Sequence, residues 1–221
     1  MINPFVLPDD CVFHYFDKAC DKSYNRRVLK YMKKKMYNHQ NTGQPDPKYK
    51  PSKQVHKTKQ AGVWHAGKEF RYRKERFTKS SMPKWCKELK NLATKLTGKE
   101  YDISLCKIYE KGNSLAMHRD VDGSPMNVAC FTFAIGNLQE HTLEFTKYNG
   151  AVKRDGEPYY SYNNPQSVQP QPCSMWFMGG NTNVKYSHRV KSEPDPDKES
   201  FRVSVTFRQS PKLQRQNNIK V

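Results

Sequence analysis

From Ile103 onward the chain is a succession of short β-prone runs cut by turn signals. Ile103 to Tyr109 alternates, Asn127 to Ile135 is apolar, and Leu143-Glu-Phe-Thr follows. Ser174-Met-Trp-Phe-Met then ends in Gly179-Gly180, and Arg202-Val-Ser-Val-Thr-Phe-Arg208 closes the set. Short strands spaced in this way predict a β-sandwich or barrel. In the last run, Arg202, Ser204, Thr206 and Arg208 share one face, while Val203, Val205 and Phe207 take the other. Arginine at both ends of one strand face is unusual as structure alone.

The N-terminal part reads differently. Val12 to Phe16 predicts a short strand. From Ser23 to Tyr37, Tyr24, Val28, Leu29, Tyr31, Met32 and Met36 fall near helical spacing, with Arg26, Arg27, Lys30 and Lys33 to Lys35 between them. This is an amphipathic helix whose basic face is either a solvated surface or a nucleic-acid contact. Residues 38–59 read as a loop, broken by Gly43, Pro45, Pro47 and Pro51. Trp64, Phe70 and Tyr72 then sit among Lys68, Arg71, Arg73 and Lys74. That mixture fits an edge hairpin, and equally a surface where cations neutralise phosphates and aromatic rings stack on unpaired bases. A second helix runs over residues 82–96, with Ser80 or Ser81 as N-cap, Pro83 in the first turn, Trp85, Leu89, Leu92 and Leu96 as the buried stripe, and Gly98 as the stop. Residues 147–171 form a polar connection, 194–198 an exposed loop and 211–221 a basic tail. The division expected is a basic helix-and-loop extension over 1–61, the main domain over 62–210 and the tail over 211–221.

The 221 residues carry a formal charge of +18, and the mean hydropathy is −0.98. Such an excess of cations favours a polyanionic partner, nucleic acid first. No apolar run is long enough to span a bilayer, which argues against a membrane role. The six Cys show neither a CxxC pair nor zinc-finger spacing. Their scatter predicts reduced intracellular thiols, and a soluble protein of nucleus or cytoplasm, acting as a monomer, is the expectation.

The chemistry concentrates at His118-Arg119-Asp120. An imidazole and a carboxylate two positions apart at a strand end point to the same side. His188, in Lys-Tyr-Ser-His-Arg-Val, is the best third ligand. Two His and one carboxylate on one face, with the other positions open, suit non-haem Fe(II), although Zn also accepts such a set. Arg202, fourteen residues after His188, separates the two. A 2-oxo-dicarboxylate chelating iron leaves its far carboxylate in need of a fixed cation, and arginine offers a planar fork.

Taken together, residues from about 63 to 209 resemble the AlkB family of Fe(II)- and 2-oxoglutarate-dependent dioxygenases. Tyr109, Gly112, His118 and Asp120 match its Tyr, Gly and HxD pattern. His188 follows the Gly179-Gly180 strand exit, and Arg202-Val-Ser-Val-Thr-Phe-Arg208 matches its closing strand. The resemblance implies a mainly β, α+β fold: a double-stranded β-helix, or jelly roll, with N-terminal helices and a nucleotide-recognition lid. It implies Fe(II) on His118, Asp120 and His188, 2-oxoglutarate held by Arg202, Tyr109 and Arg208, and O2 as co-substrate. Lys107 and Ser204 stand where the family carries Asn, so the hydrogen bonding to the co-substrate differs there. Asp122 falls where some members contact the target base, and Trp64, Lys68, Arg71, Tyr72, Arg73 and Lys74 fall in the lid region. The activity implied is oxidative dealkylation of a flipped or unpaired base in DNA or RNA. Two alternatives stay open: a related oxygenase that hydroxylates a nucleobase or a protein side chain, and a non-catalytic basic nucleic-acid-binding module.

Overall fold

The computed structural model describes residues 5, 7–36, 44–45, 59–65, 70–72, 75–77, 81–110, 112–120, 126–136, 141–150, 164–193, 200–210 and 213. For 35–36, 44–45, 59–65, 70–72, 75–77 and 110 it describes the backbone alone. The elements run β1 (Cys11–Phe16), α1 (Lys22–Met36), β2 (Gln44–Pro45), β3 (Lys59–His65), β4 (Phe70–Tyr72), β5 (Glu75–Phe77) and α2 (Lys84–Thr97). Then follow β6 (Ile103–Glu110), β7 (Leu115–His118), β8 (Val128–Gly136), β9 (His141–Lys147), β10 (Gln166–Val168) and β11 (Met175–Gly180). α3 (Thr182–Lys185), β12 (Tyr186–Ser192) and β13 (Ser200–Arg208) complete the chain.

Two antiparallel sheets face each other as a jelly roll. The larger has the order β1-β11-β8-β13-β6-β3 and the smaller β10-β9-β12-β7. A separate small sheet joins β2, β5 and β4. Strand alternation divides the larger sheet's side chains between two apolar layers. Outward, Val203, Val205, Phe207, Phe131 and Phe133 pack under the two long helices, against Val28, Met32, Trp85 and Leu89. Inward, Tyr109, Val128, Cys130, Trp176 and Met178 meet Leu143, Phe145 and Val190 of the smaller sheet. Phe131, Phe133 and Phe207 are wholly buried, each contributing roughly 2–3 kcal/mol of apolar burial.

The helices are fixed to the sheet by named contacts. β11 pairs with β8 as far as Phe131, and Thr132 bonds on to Ser174 and Cys173, so the edge of β8 left to the helices is at Ala134. There the Asn25 side chain accepts from the Ala134 N–H and donates to the Ala134 carbonyl, both at 2.9 Å. Tyr31 meets Trp85 edge-on, tying α1 to α2.

Several expectations need adjustment. α2 starts on Pro83 as N-cap, without a side-chain cap; its extended backbone already aims its carbonyl at the Cys86 and Lys87 N–H groups. Ser81 is exposed. The buried stripe is Trp85, Cys86, Leu89 and Ala93, with Leu92 and Leu96 at its margin, because the sheet lies under that side of the helix. β3 begins at Lys59, inside the expected loop, and β10 forms within the polar connection by pairing with β9. α3 was not anticipated: four residues are too few to show a period. The loop expected at 194–198 and nearly all of the tail lie outside the described residues.

Candidate metal centre

The centre is built on one strand pair. In the antiparallel ladder of β12 and β7, His188 stands directly opposite His118. Cross-strand partners hold their side chains side by side, and the two ring centroids are 4.4 Å apart. Asp120 lies two residues past His118, just beyond the end of β7. The possible ligand atoms of the three residues all lie within 4.8 Å of one another, and all three side chains are buried.

The donor orientations fit a cation. His118 Nδ1 sits 2.8 Å from the Ala116 carbonyl, which can only accept, so Nδ1 carries the proton and Nε2 offers its lone pair. That Nε2 is 3.6 Å from Asp120 Oδ1, and His188 Nε2 is 3.8 Å from Asp120 Oδ2. Burial pushes His188 down to about 3, reinforced by the neighbouring His118, which keeps the ring neutral and able to ligate. Burial works against the Asp120 charge, but Arg208 and the two imidazoles outweigh it and hold the carboxyl well below the usual carboxylate range. Asp120 Oδ1 accepts from Arg208 Nη2 at 2.6 Å, whereas buried Oδ2 has no hydrogen-bond partner among the described residues. Two imidazoles and an ionised carboxylate with an unspent oxygen can hold one divalent ion from a single side.

A second feature shares this chamber. Arg202 is only 1 % exposed, and its Nε and Nη1 have no hydrogen-bond partner among the described residues. A buried guanidinium without an anion costs several kcal/mol, so the position suits the carboxylate of a ligand. Its Cζ lies 5.0 Å from the Tyr109 ring centroid, and Arg202 and Tyr109 are register partners on β13 and β6. Burial pushes the Tyr109 hydroxyl up to about 12, so it stays a donor. Ser204 and Lys107, the next inward pair of the same ladder, face the same chamber.

Of the residues expected in the site, the structure gathers His118, Asp120 and His188 at one point, places Arg208 on Asp120 and Arg202 beside Tyr109, and makes Ser204 and Lys107 the next pair of that ladder. For the lid residues the structure makes no comparable statement. Asp122, Lys68, Arg73 and Lys74 lie outside the described residues. For Trp64, Arg71 and Tyr72 only the backbone is described, in β3 and β4.

Several neighbours were missed. Asn183 in α3 is fully buried and clamps the Asp120 backbone, accepting from its N–H at 2.8 Å and donating to its carbonyl at 2.7 Å. Thr182 anchors α3 in turn: its hydroxyl accepts from the Val12 N–H at 2.8 Å and lies within donating reach of the Gly179 carbonyl. Gly180 makes the tight exit from β11 that α3 needs. Its φ is +56°, and a Cβ there would fall 2.5 Å from the Asp10 carbonyl oxygen. Trp176 and Phe145 wall His188, with ring centroids at 6.2 and 5.5 Å. His141 is 1 % exposed and sits edge-on to Tyr109. A lone Asn, Trp or His carries no motif, so only the fold reveals them.

Residues 13–208 match the family described as the 2OG-Fe(II) oxygenase superfamily. Among solved structures, the chain is similar to "The structure of OsALKBH1", at 13% identity and a TM-score of 0.57, covering 93% of this chain and 99% of that one. It is also similar to a prolyl hydroxylase in complex with a hypoxia inducible factor oxygen degradation domain peptide fragment from Trichoplax adhaerens, at 11% identity and a TM-score of 0.58, covering 92% and 86%. A Pseudomonas putida prolyl-4-hydroxylase aligns at 10% identity and a TM-score of 0.49, over 89% and 92%. At these identities the likeness is one of fold. No curated protein matches the sequence.

Proposed function

This chain belongs to the 2OG-Fe(II) oxygenase superfamily, whose cofactors are Fe(II) and 2-oxoglutarate, and within it we propose an AlkB-like enzyme that oxidatively removes alkyl groups from bases in DNA or RNA. His118, Asp120 and His188 hold the iron from one side. Arg202 pairs with the far carboxylate of 2-oxoglutarate, above the Tyr109 ring. Arg208 holds Asp120 ionised and oriented, while Asn183 fixes its backbone. Bound there, Fe(II) and 2-oxoglutarate would supply the oxidation of a substrate C–H bond by O2, coupled to conversion of the co-substrate to succinate and carbon dioxide. Hydroxylation of an N-methyl carbon gives a hemiaminal, which collapses to formaldehyde and the free base. The chain's work is to keep the target carbon in place and water out.

The observation that carries the class of substrate is the charge of +18, far beyond what solubility asks. The closing strand adds to it: Arg202 and Arg208 on one inward face, the first open to an anion and the second on Asp120, follow the AlkB pattern. The fold alone does not choose, since its neighbours include a peptide-bound prolyl hydroxylase.

The test is a panel of methylated DNA and RNA oligonucleotides with Fe(II), 2-oxoglutarate and ascorbate, read by mass spectrometry and by formaldehyde release. Loss of a methyl group with matching formaldehyde is expected on at least one base. A stable hydroxylated base without formaldehyde would favour the related hydroxylase. Turnover on peptides alone would remove nucleic acid as the substrate.

A further inference from the structure

We propose that the exposed faces of α1 and α2 form a second, non-catalytic surface that grips the phosphate backbone of nucleic acid, across the larger sheet from the metal centre. The two helices carry eleven Lys and Arg and a single acidic residue, a net +10 of the chain's +18. The one acid, Glu88, is already taken by Arg27 at 2.5 Å and by the Tyr24 hydroxyl at 3.2 Å. What remains exposed is ordered. Arg26, Lys30, Lys33 and Lys34 follow one stripe of α1, and Lys84, Lys87 and Lys95 follow one stripe of α2.

Three physical points favour an anionic partner over plain solvation. Cations at i, i+3 and i, i+4 repel, and each such pair weakens its helix by a few tenths of a kcal/mol; a surface kept only for solubility mixes signs. The stripes are also rigidly mounted, α1 by the Asn25 clamp on Ala134 and α2 by the Tyr31–Trp85 contact. Finally, at about 1.5 Å per residue the Lys84–Lys95 stripe runs about 16 Å, the span of roughly five phosphates along one strand. Val203, Val205 and Phe207 of β13 point to these helices, whereas Arg202 and Arg208 point to the metal centre. The grip therefore leaves the chamber free, and it does not depend on which base, if any, is demethylated.

The experiment uses the full chain, fluorescein-labelled unmodified single-stranded RNA and DNA, and anisotropy titrations from 50 to 200 mM salt. One variant carries Lys30→Gln, Lys33→Gln and Lys34→Gln, and the other Lys84→Gln, Lys87→Gln and Lys95→Gln. Gln keeps helix propensity close to that of Lys, and a thermal melt verifies folding. Each triple variant should bind about tenfold more weakly at 50 mM salt and flatten the salt slope by about 2. Decarboxylation of 2-oxoglutarate without substrate should stay at the parent rate. Unchanged affinity and slope in both variants would overturn the proposal. So would a parent protein that binds phosphatidylserine vesicles but no oligonucleotide. Failure to demethylate any oligonucleotide, with binding intact, would instead count against the proposed reaction alone.

Discussion

His118 and His188, seventy residues apart in sequence, are direct partners in one antiparallel ladder, and their rings lie 4.4 Å apart. Asp120 completes the set from just beyond the strand, held by Arg208 on its carboxylate and by Asn183 on its backbone. Two of the three groups are therefore set by the sheet, and the third by clamps just beyond it.

Prearrangement predicts a stabilising response to metal. Saturating Fe(II), or Mn(II) as an inert substitute, should raise the melting temperature, since an ion at about 100 times its dissociation constant adds about 2.7 kcal/mol. His188→Ala should fold, lose that rise and lose turnover. A variant that kept the full rise would take His188 out of the ligand set.

Arg202 gives a prediction with two signs. Arg202→Met should raise the 2-oxoglutarate requirement by about 10- to 100-fold, through loss of a charge-assisted pair. The ligand-free protein should be no less stable, because a buried guanidinium with two nitrogens partnerless among the described residues is replaced by an apolar side chain. Arg202→Lys should rescue only in part. Co-substrate titrations and melts of both variants check this; unchanged 2-oxoglutarate dependence would move the role elsewhere.

Asn183 should matter without touching the ion. Asn183→Ala strips two hydrogen bonds from a buried backbone, at a cost of about 1–3 kcal/mol in stability. Metal affinity should fall about 10- to 100-fold, as when other groups supporting a ligand are removed. A Co(II) titration followed by absorbance reads the affinity apart from the melt. Parent-like affinity in a destabilised variant would reduce Asn183 to a structural clamp.

These residues also mark how far the sequence could be read. The alternation of Arg202 to Arg208 is local, and strand geometry alone assigns its two faces, so the arginine face was legible. His118 and Asp120 were legible because their spacing matches a strand end, and His188 because few His follow. Asn183 was not: its partner lies 63 residues away and α3 is too short to announce itself. Trp176 and His141 look like ordinary strand residues until the two sheets close over them. The N-cap of α2 failed for a local reason, a proline carbonyl doing the work expected of a serine hydroxyl.

The central claim is that His118, Asp120, His188 and Arg202 together hold Fe(II) and 2-oxoglutarate. It is tested most directly by anaerobic absorption spectroscopy. Protein is titrated first with Fe(II) and then with 2-oxoglutarate, and the visible charge-transfer band of the iron–2-oxo-acid chelate is followed. The band should appear only when both are present and saturate at one equivalent of each. It should vanish in His188→Ala, and in Arg202→Met it should require far more 2-oxoglutarate. No band in the parent, or an equal band in His188→Ala, would contradict the assignment of this centre.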